Sequence, residues 1–424
     1  MPQNVFVLGL DEHNHQILEN LPDAEQYRFH PLLTIDELQY GEEIPLRALL
    51  EKAQMQLENF EGPVDAIIGF WDFPVSSMVP ILCMRHGGLP GASLEAVVKC
   101  EHKYWSRLEQ QKVIKEYPRF GLVDPEHDSD PPEGVNFPMW VKPVKSFSSD
   151  LAFGVANVDE FRNALDQIRE GIARIGEPFD VLLEHLELPP EIDEAGGQFC
   201  LAEESASGRQ LTIEGYRYQD RTHVYGVVES VTYEDSPSFV RFQYPASVPE
   251  SVSRRMADVS NLILDQVELD HTTFNIEFFW NEQTNALTVL EVNPRHSQSH
   301  AELFEQVDGV SNHQAMVRLA LGQDPDTPDR TGPYAMAAKW FLRHWTDGAV
   351  RRHPSEDDIA AVERELDGVT VDIIANTGDR LSELTDQDSY SYKIANIYVG
   401  ADNEDDLRAK FDQCAEALPF EFDE

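Results

Sequence analysis

The sequence predicts an α/β protein in three parts: a Rossmann-like domain over residues 1–100, a central domain over 101–322 and a small carboxy-terminal α+β lobe over 323–424. Three observations carry that reading. Compact apolar runs at Val5–Leu10 and Val64–Phe70 alternate with a helical stretch at Leu46–Phe60, as in a parallel sheet with covered faces. Two β-prone runs, Thr273–Trp280 and Leu287–Val292, flank the polar connection Asn281–Ala286 and read as a hairpin. The Asp- and Pro-rich stretch Gln323–Arg330 then sets off a last segment. It has strands around Tyr334–Leu342, Val369–Ala375 and Tyr392–Val399 and a helix at Glu404–Leu418.

The chain of 424 residues is 41% hydrophobic and 10% aromatic, enough to build a core in each part. Its formal net charge of −44 excludes a general nucleic-acid or acidic-membrane binder, because phosphates would be repelled. Lysines are sparse, and none occurs between Lys145 and Lys339. The cysteines Cys83, Cys100, Cys200 and Cys414 are scattered, which indicates neither a zinc site nor a disulfide framework. No stretch is apolar over the ~18 residues of a membrane span. The sequence also opens without a basic segment followed by an apolar run, so a cytoplasmic protein is expected.

In the first domain Gly9 belongs to no G-x-G-x-x-G, so the dinucleotide fingerprint is missing. Trp71-Asp72 follows a strand at its carboxyl end, where such sheets place ligands, although Trp71 can equally well pack for stability. The turn-rich Gly87–Gly91 closes the domain, and Ser93–Gln111 reads as helix. A strand ending at Lys142 then leads through the serine-rich Ser146–Ser149 to a second short strand, and Asp159–Ile175 is an amphipathic core helix.

The hairpin holds the chemistry. Folded symmetrically about Thr284, it sets Glu277 opposite Glu291, and opposed side chains lie only about 4.5–5.5 Å apart. Alternation puts Phe279 on the face of Glu277 and Asn293 on that of Glu291. Both acids sit inside apolar runs, NIEFF and VLEVN, where unpaired charge is costly. Two carboxylates and an amide form a hard oxygen set suited to Mg2+, with Mn2+ as the alternative. Pro294 ends the strand, and Arg295 follows as a cation able to grip carboxylate or phosphate.

The run Glu291-x-Asn293-Pro294-Arg295, after a hairpin whose first strand carries Glu277, resembles the metal-binding signature of the ATP-grasp superfamily. The resemblance implies an ATP-grasp central domain of two lobes with a hinge near 184–187. It makes Lys103 and Lys142 nucleotide lysines, and Ser148 and Ser149 part of the phosphate cover in place of the usual glycines. It makes Val181–Leu186 a strand whose Glu184, His185 and Leu186 meet the adenine edge, puts Gln210 at the ribose with Glu203 or Glu204 as alternatives, and sets Phe279 beneath adenine. His296, Ser297 and His300 replace a glycine-rich turn at the substrate, where either histidine can serve as a base. Arg295 and Lys142 are the implied catalytic residues.

The activity implied is ATP-dependent amide formation between a small-molecule carboxylate and an amine through an acyl phosphate, with a homodimer as the expected assembly. A biotin-carboxylase-like enzyme and a non-catalytic nucleotide-binding module are the alternatives. The first is disfavoured by the missing glycines after Lys142, the second by the complete metal set.

Overall fold

The computed structural model describes residues 2–41, 43–146, 151–385, 387–388 and 390–423. Its first sheet is parallel, with β1 (Gln3–Leu8) between β2 (Tyr27–Leu32) and β3 (Ala66–Ile68). Val5 and Val7 pack against Leu18 and Val317 on one face, while Phe6 and Leu8 pack against Leu50 and Met78 on the other. Burial of both faces explains why these strands read as unbroken apolar runs.

Two helices, Leu94–Glu101 and Lys103–Val113, lead out of this domain. His102 leaves the helical backbone region between them, and its Nδ1 caps the second by accepting from Trp105 N at 3.2 Å. A small antiparallel sheet follows. Its strands β4 (Phe120–Val123), β5 (Met139–Pro143), β6 (Phe153–Val155) and β7 (Cys200–Glu204) run in the order β4-β7-β5-β6. The helix Val158–Gly171 covers it, burying Phe161, Leu165 and Ile168 against Val141 and Ala202.

The strand expected over Val181–Leu186 is not there. Those residues end the helix Ala173–Leu183, which buries Ile175, Phe179 and Leu182 at helical spacing. A short apolar run fits helix and strand alike, and here the residues before it supply the longer period. Glu184 pairs with Arg47 in an exposed ion pair, His185 Nδ1 bonds Val181 O at 3.1 Å, and Leu186 packs onto the first domain. The connection that joins the small sheet to the large one is Ser205–Gly208, between β7 and β8 (Arg209–Tyr218).

That larger antiparallel sheet continues with β9 (Arg221–Tyr233), β10 (Ser236–Tyr244), β11 (Thr272–Asn281), β12 (Ala286–Asn293) and β13 (Met336–His344). After them come β14 (Val350–Arg352), β15 (Val369–Ile373), β16 (Tyr392–Ala401) and β17 (Glu421–Phe422). The order β12-β11-β8-β9-β10-β13-β16-β15 shows that the carboxy-terminal strands extend the central sheet, while β14 and β17 pair separately. The helix Glu250–Val267 buries Met256 and Ile263 with Ile276 and Phe278, fixing which face of the hairpin points inward. Among the described residues no helix is long and apolar enough to cross a membrane.

Gly208 lies at the joint between the two sheets with φ +138°, and a Cβ there would come within 2.3 Å of Trp280 O. Gly208→Ala is therefore expected to lower stability by about 1–3 kcal/mol, measured by denaturant unfolding. An unchanged midpoint would mean that the joint is looser than this geometry.

Candidate functional site

The hairpin of β11 and β12 carries the opposed acids, by a route different from the symmetric one expected. At the turn Asn281 pairs with Ala286, and Phe278 pairs with Val289. Continued without interruption, that register would leave Glu277 facing Leu290. A bulge shifts it by one, so that Glu277 faces Glu291 and Asn275 faces Asn293. Arg107, from the helix Lys103–Val113, holds the bulge: its Nη2 donates to Val289 O at 3.1 Å and Leu290 O at 2.8 Å.

The same guanidinium ties the hairpin to the small sheet. Arg107 Nε donates to Glu203 Oε1 at 2.5 Å, and Lys142 Nζ lies 2.7 Å from Glu203 Oε2. Burial opposes ionisation of Glu203, yet the two cations overcome it and hold its carboxyl down at about 2. The resulting stabilisation is present above the ordinary Glu range near ~4.3 and is lost as pH falls from there through the folded value. Sequence reading missed Arg107, although its place one helical turn after Lys103 puts both on one helix face.

Lys103 stands 2.9 Å from Glu291 Oε1 and donates to Ser146 O at 2.7 Å. Burial would raise the Glu291 carboxyl, but Lys103, with Lys142 and Lys145 behind it, holds it low. Glu277 has no lysine paired with it among the described residues, and Arg295 draws it down only weakly. Burial first, then the facing Glu291, push it up, against a bond from Gln210 Nε2 to Glu277 Oε2 at 2.9 Å. Lys145 is 3.4 Å from the buried Glu101 and lies over the rings of Phe73 and Phe179, which marks it as a packed cation.

A carboxylate driven toward protonation by a second one directly opposite is a pair short of a cation. Asn293 Nδ2 donates to Asn275 Oδ1 at 2.9 Å, which leaves the amide oxygen of Asn293 as the third donor. Among the described residues no group of three or more His, Cys, Asp or Glu is placed to hold a metal ion. The set is therefore two carboxylates and an amide, all hard oxygens, and it fits Mg2+.

Arg295 reaches back to the first domain. Its Nε and Nη2 donate to Asp72 Oδ1 and Oδ2 at 3.2 and 2.7 Å, and Nη1 donates to His296 O at 3.0 Å. Asp72 thus earns its place at the strand end, whereas Trp71 is partly structural, its Nε1 donating to Gly9 O at 2.9 Å. A cavity of about 470 Å3 opens beside these groups, lined among others by Glu277, Asn293, Arg295, Ser297 and His300.

The two histidines of the turn part company. His300 and Ser297 line the cavity. His296 is fully buried: its Nδ1 is 3.0 Å from Thr273 Oγ1 and its Nε2 2.8 Å from His313 Nδ1, and His313 Nε2 is 3.0 Å from Asn14 Oδ1. Burial pushes both rings well down, so they are neutral. The expected substrate role of His296 is therefore corrected to a structural one, because both its nitrogens serve the join between the first domain and the hairpin. Phe279 lies on the face of Glu277, partly exposed and opposite Gln210. Glu184, His185 and Leu186 are not on the connection between the sheets, and Ser148 and Ser149 lie outside the described residues.

Residues 135–301 match the family model of the ATP-grasp domain. No curated protein matches the sequence. Among solved structures, the chain is similar to an L-amino acid ligase from Bacillus licheniformis at a TM-score of 0.73 and 14% identity, covering 100% of this chain and 99% of that one. A biotin carboxylase–ATP analogue complex from Campylobacter jejuni gives 0.68 at 12% identity over 99% and 92% of the two chains. An N5-carboxyaminoimidazole ribonucleotide synthetase from Thermotoga maritima gives 0.64 at 15% over 99% of each. At these identities the likeness concerns the fold.

Because its pKa is raised, Glu277 favours folding below the unfolded value and loses that advantage as pH rises through the folded one. Glu277→Gln should therefore raise the melting temperature of the metal-free protein at pH 8 and leave it nearly unchanged at pH 5. Added Mg2+ should stabilise the wild type and not the variant. A variant no more stable than wild type at pH 8 would remove the like-charge argument.

Proposed function

We propose that this chain, whose residues 135–301 form an ATP-grasp domain, is an ATP-dependent ligase that joins a small-molecule carboxylate to an amine through an acyl phosphate. The observation that carries this reading is the facing pair Glu277 and Glu291, with Asn293 beside them. Lys103 stands on one acid, and the cavity opens at the other. Glu277, Glu291 and Asn293 would hold a Mg2+, which would supply charge neutralisation to a triphosphate.

The chain's own groups divide the remaining work. Lys142, steadied by Glu203, presents a point charge to the α- and β-phosphates, with Lys103 beside it. Phe279 packs beneath adenine, and the backbone from Glu204 to Ser207 takes the adenine edge in place of the residues first expected at 184–186. Gln210 faces the ribose from its bond to Glu277. Ser148 and Ser149 are assigned the phosphate cover on the sequence alone.

A substrate carboxylate oxygen attacks the γ-phosphorus and ADP leaves. The amine nitrogen then attacks the acyl carbon and phosphate leaves. Arg295, its plane set by Asp72, stabilises the oxyanions that develop. No protein nucleophile is needed. A biotin-carboxylase-like reaction is the second reading, supported by the similarity of fold and disfavoured, on the sequence resemblance, by the serines that follow Lys142.

The test is a screen of amino acids in pairs, scored by phosphate release and product mass. ADP formation that requires both a carboxylate and an amine supports the ligase, dependence on bicarbonate supports the rival, and no turnover with any pair leaves a nucleotide-binding module. Glu291→Gln should fold and lose turnover by several orders of magnitude.

Arg295→Lys keeps the charge and loses the planar fork to Asp72. Turnover is expected to fall more than ATP affinity, since the stabilisation belongs to the transition state. A collapse of affinity at unchanged kcat would make Arg295 a ground-state ligand of the nucleotide.

A further inference from the structure

Glu214, on β8, is fully buried and has no part in the reaction described so far. Its Oε1 lies 2.5 Å from His300 Nδ1, and its Oε2 accepts from Asn312 Nδ2 at 3.1 Å. Asn312 Nδ2 also donates to Ser297 O at 2.8 Å, so the turn that carries His300 is anchored to the same carboxylate. The ring of Phe242 meets the imidazole edge to face, with centroids 5.0 Å apart. His300 is thus held by a hydrogen bond, an aromatic wall and its own anchored turn.

The chemistry of that bond selects a tautomer. An ionised carboxylate only accepts, so in the neutral ring Nδ1 carries the hydrogen and Nε2 is left with the lone pair. Nε2 has no protein partner among the described residues, and His300 lines the cavity shared with Glu277, Asn293 and Arg295. The contrast with His296 and His313 is informative. Each of those rings uses both nitrogens in a buried chain, the behaviour of structural histidines, whereas His300 spends one nitrogen inward and turns the other to the cavity.

Register places the pair close to the metal acids. On β8, Thr212 is opposite Glu277 and Glu214 is opposite Asn275. Thr212 and Glu214 share a sheet face and are two residues apart, about 7 Å along the strand. The imidazole on Glu214 therefore stands on the sheet face of Glu277, one step along from it, at the cavity that Glu277, Asn293 and Arg295 also line.

Resting on the ligase reading above, we propose that His300 is the general base that deprotonates the incoming amine, with Glu214 as its positioning residue. An alkyl amine enters as an ammonium ion and cannot attack until it has lost a proton. One N–H proton passes to His300 Nε2, and the freed lone pair forms the C–N bond to the acyl carbon. The C–O bond to phosphorus-bound oxygen breaks, and the departing phosphate takes that electron pair and the second N–H proton. His300 then returns its proton to solvent.

Hydroxylamine is a far weaker base than an amino acid's amine. It is largely unprotonated near neutral pH and attacks acyl phosphates without a base, so it serves as the probe. Full-length wild type, His300→Gln and Glu214→Gln are given ATP, Mg2+ and each common amino acid as donor. The acceptor is either hydroxylamine or the same amino acids. The ratio of amide to hydroxamate is expected to fall by about a hundredfold or more in both variants. Glu214→Gln preserves volume but no longer fixes the Nδ1–H tautomer, so it should move the ratio in the same direction.

Equal loss of both products would show a structural pair, and an unchanged ratio would show that the base is another group; either result overturns the proposal. Hydroxamate made by the variants also reports that they fold. A wild type that makes neither product overturns the ligase reading itself, which is a separate failure.

Discussion

Arg107 binds both halves of the site from inside the protein, through three acceptors that belong to two different sheets. Glu203 is on the small sheet, and the carbonyls of Val289 and Leu290 are on the hairpin of the large one. Those carbonyls lie at the bulge on the edge strand of the sheet, and the bulge is what brings Glu277 opposite Glu291. Leu290 is an otherwise ordinary residue, but without its displacement Glu291 would point to the wrong face. The buried guanidinium therefore supports the facing acids on one side and, through Glu203, the position of Lys142 on the other.

A recurring arrangement surrounds that centre. Lys103 stands on Glu291, Lys142 on Glu203, Lys145 on Glu101 and Arg295 on Asp72. In a chain with net charge −44 cations are scarce, and these four each stand on an acid, Glu203 also serving Arg107. Pairing lowers the cost of burying these groups and holds flexible side chains in place before any anion arrives. The exception is Glu277, which faces another acid and accepts from Gln210. The imbalance is confined to one carboxylate at the cavity mouth, where an added cation relieves it.

The first domain contributes more than a cover. Asp72 sets the plane of Arg295, and Asn14 ends the chain of contacts that runs through His313 and His296 to Thr273 on β11. Both links cross from the parallel sheet to the hairpin. The cavity is accordingly walled by residues that lie hundreds of positions apart, from Asn14 and Asp72 to Lys339 and Tyr398.

Much of this was legible in the residues themselves. Alternation along NIEFF and VLEVN put two acids on one face, Pro294 ended the strand, and the apolar runs marked the parallel sheet. Each of these signals is local, because side-chain direction in a strand repeats every two residues. The strand expected at Val181–Leu186 is the end of a helix instead, since a run that short does not distinguish strand from a last helical turn. His296 and His300, four positions apart, look equivalent on paper. What separates them is which partner waits at the other end: His313 for one, Glu214 for the other. Arg107, Glu203, Asp72 and Glu214 acquire their roles only through contacts between 86 and 223 positions away in the chain. The sequence by itself determined the alternation that puts two carboxylates and an amide on one face. Tertiary structure alone decided the register, the pairing of charges and the choice of histidine, because those depend on distances that no local period encodes.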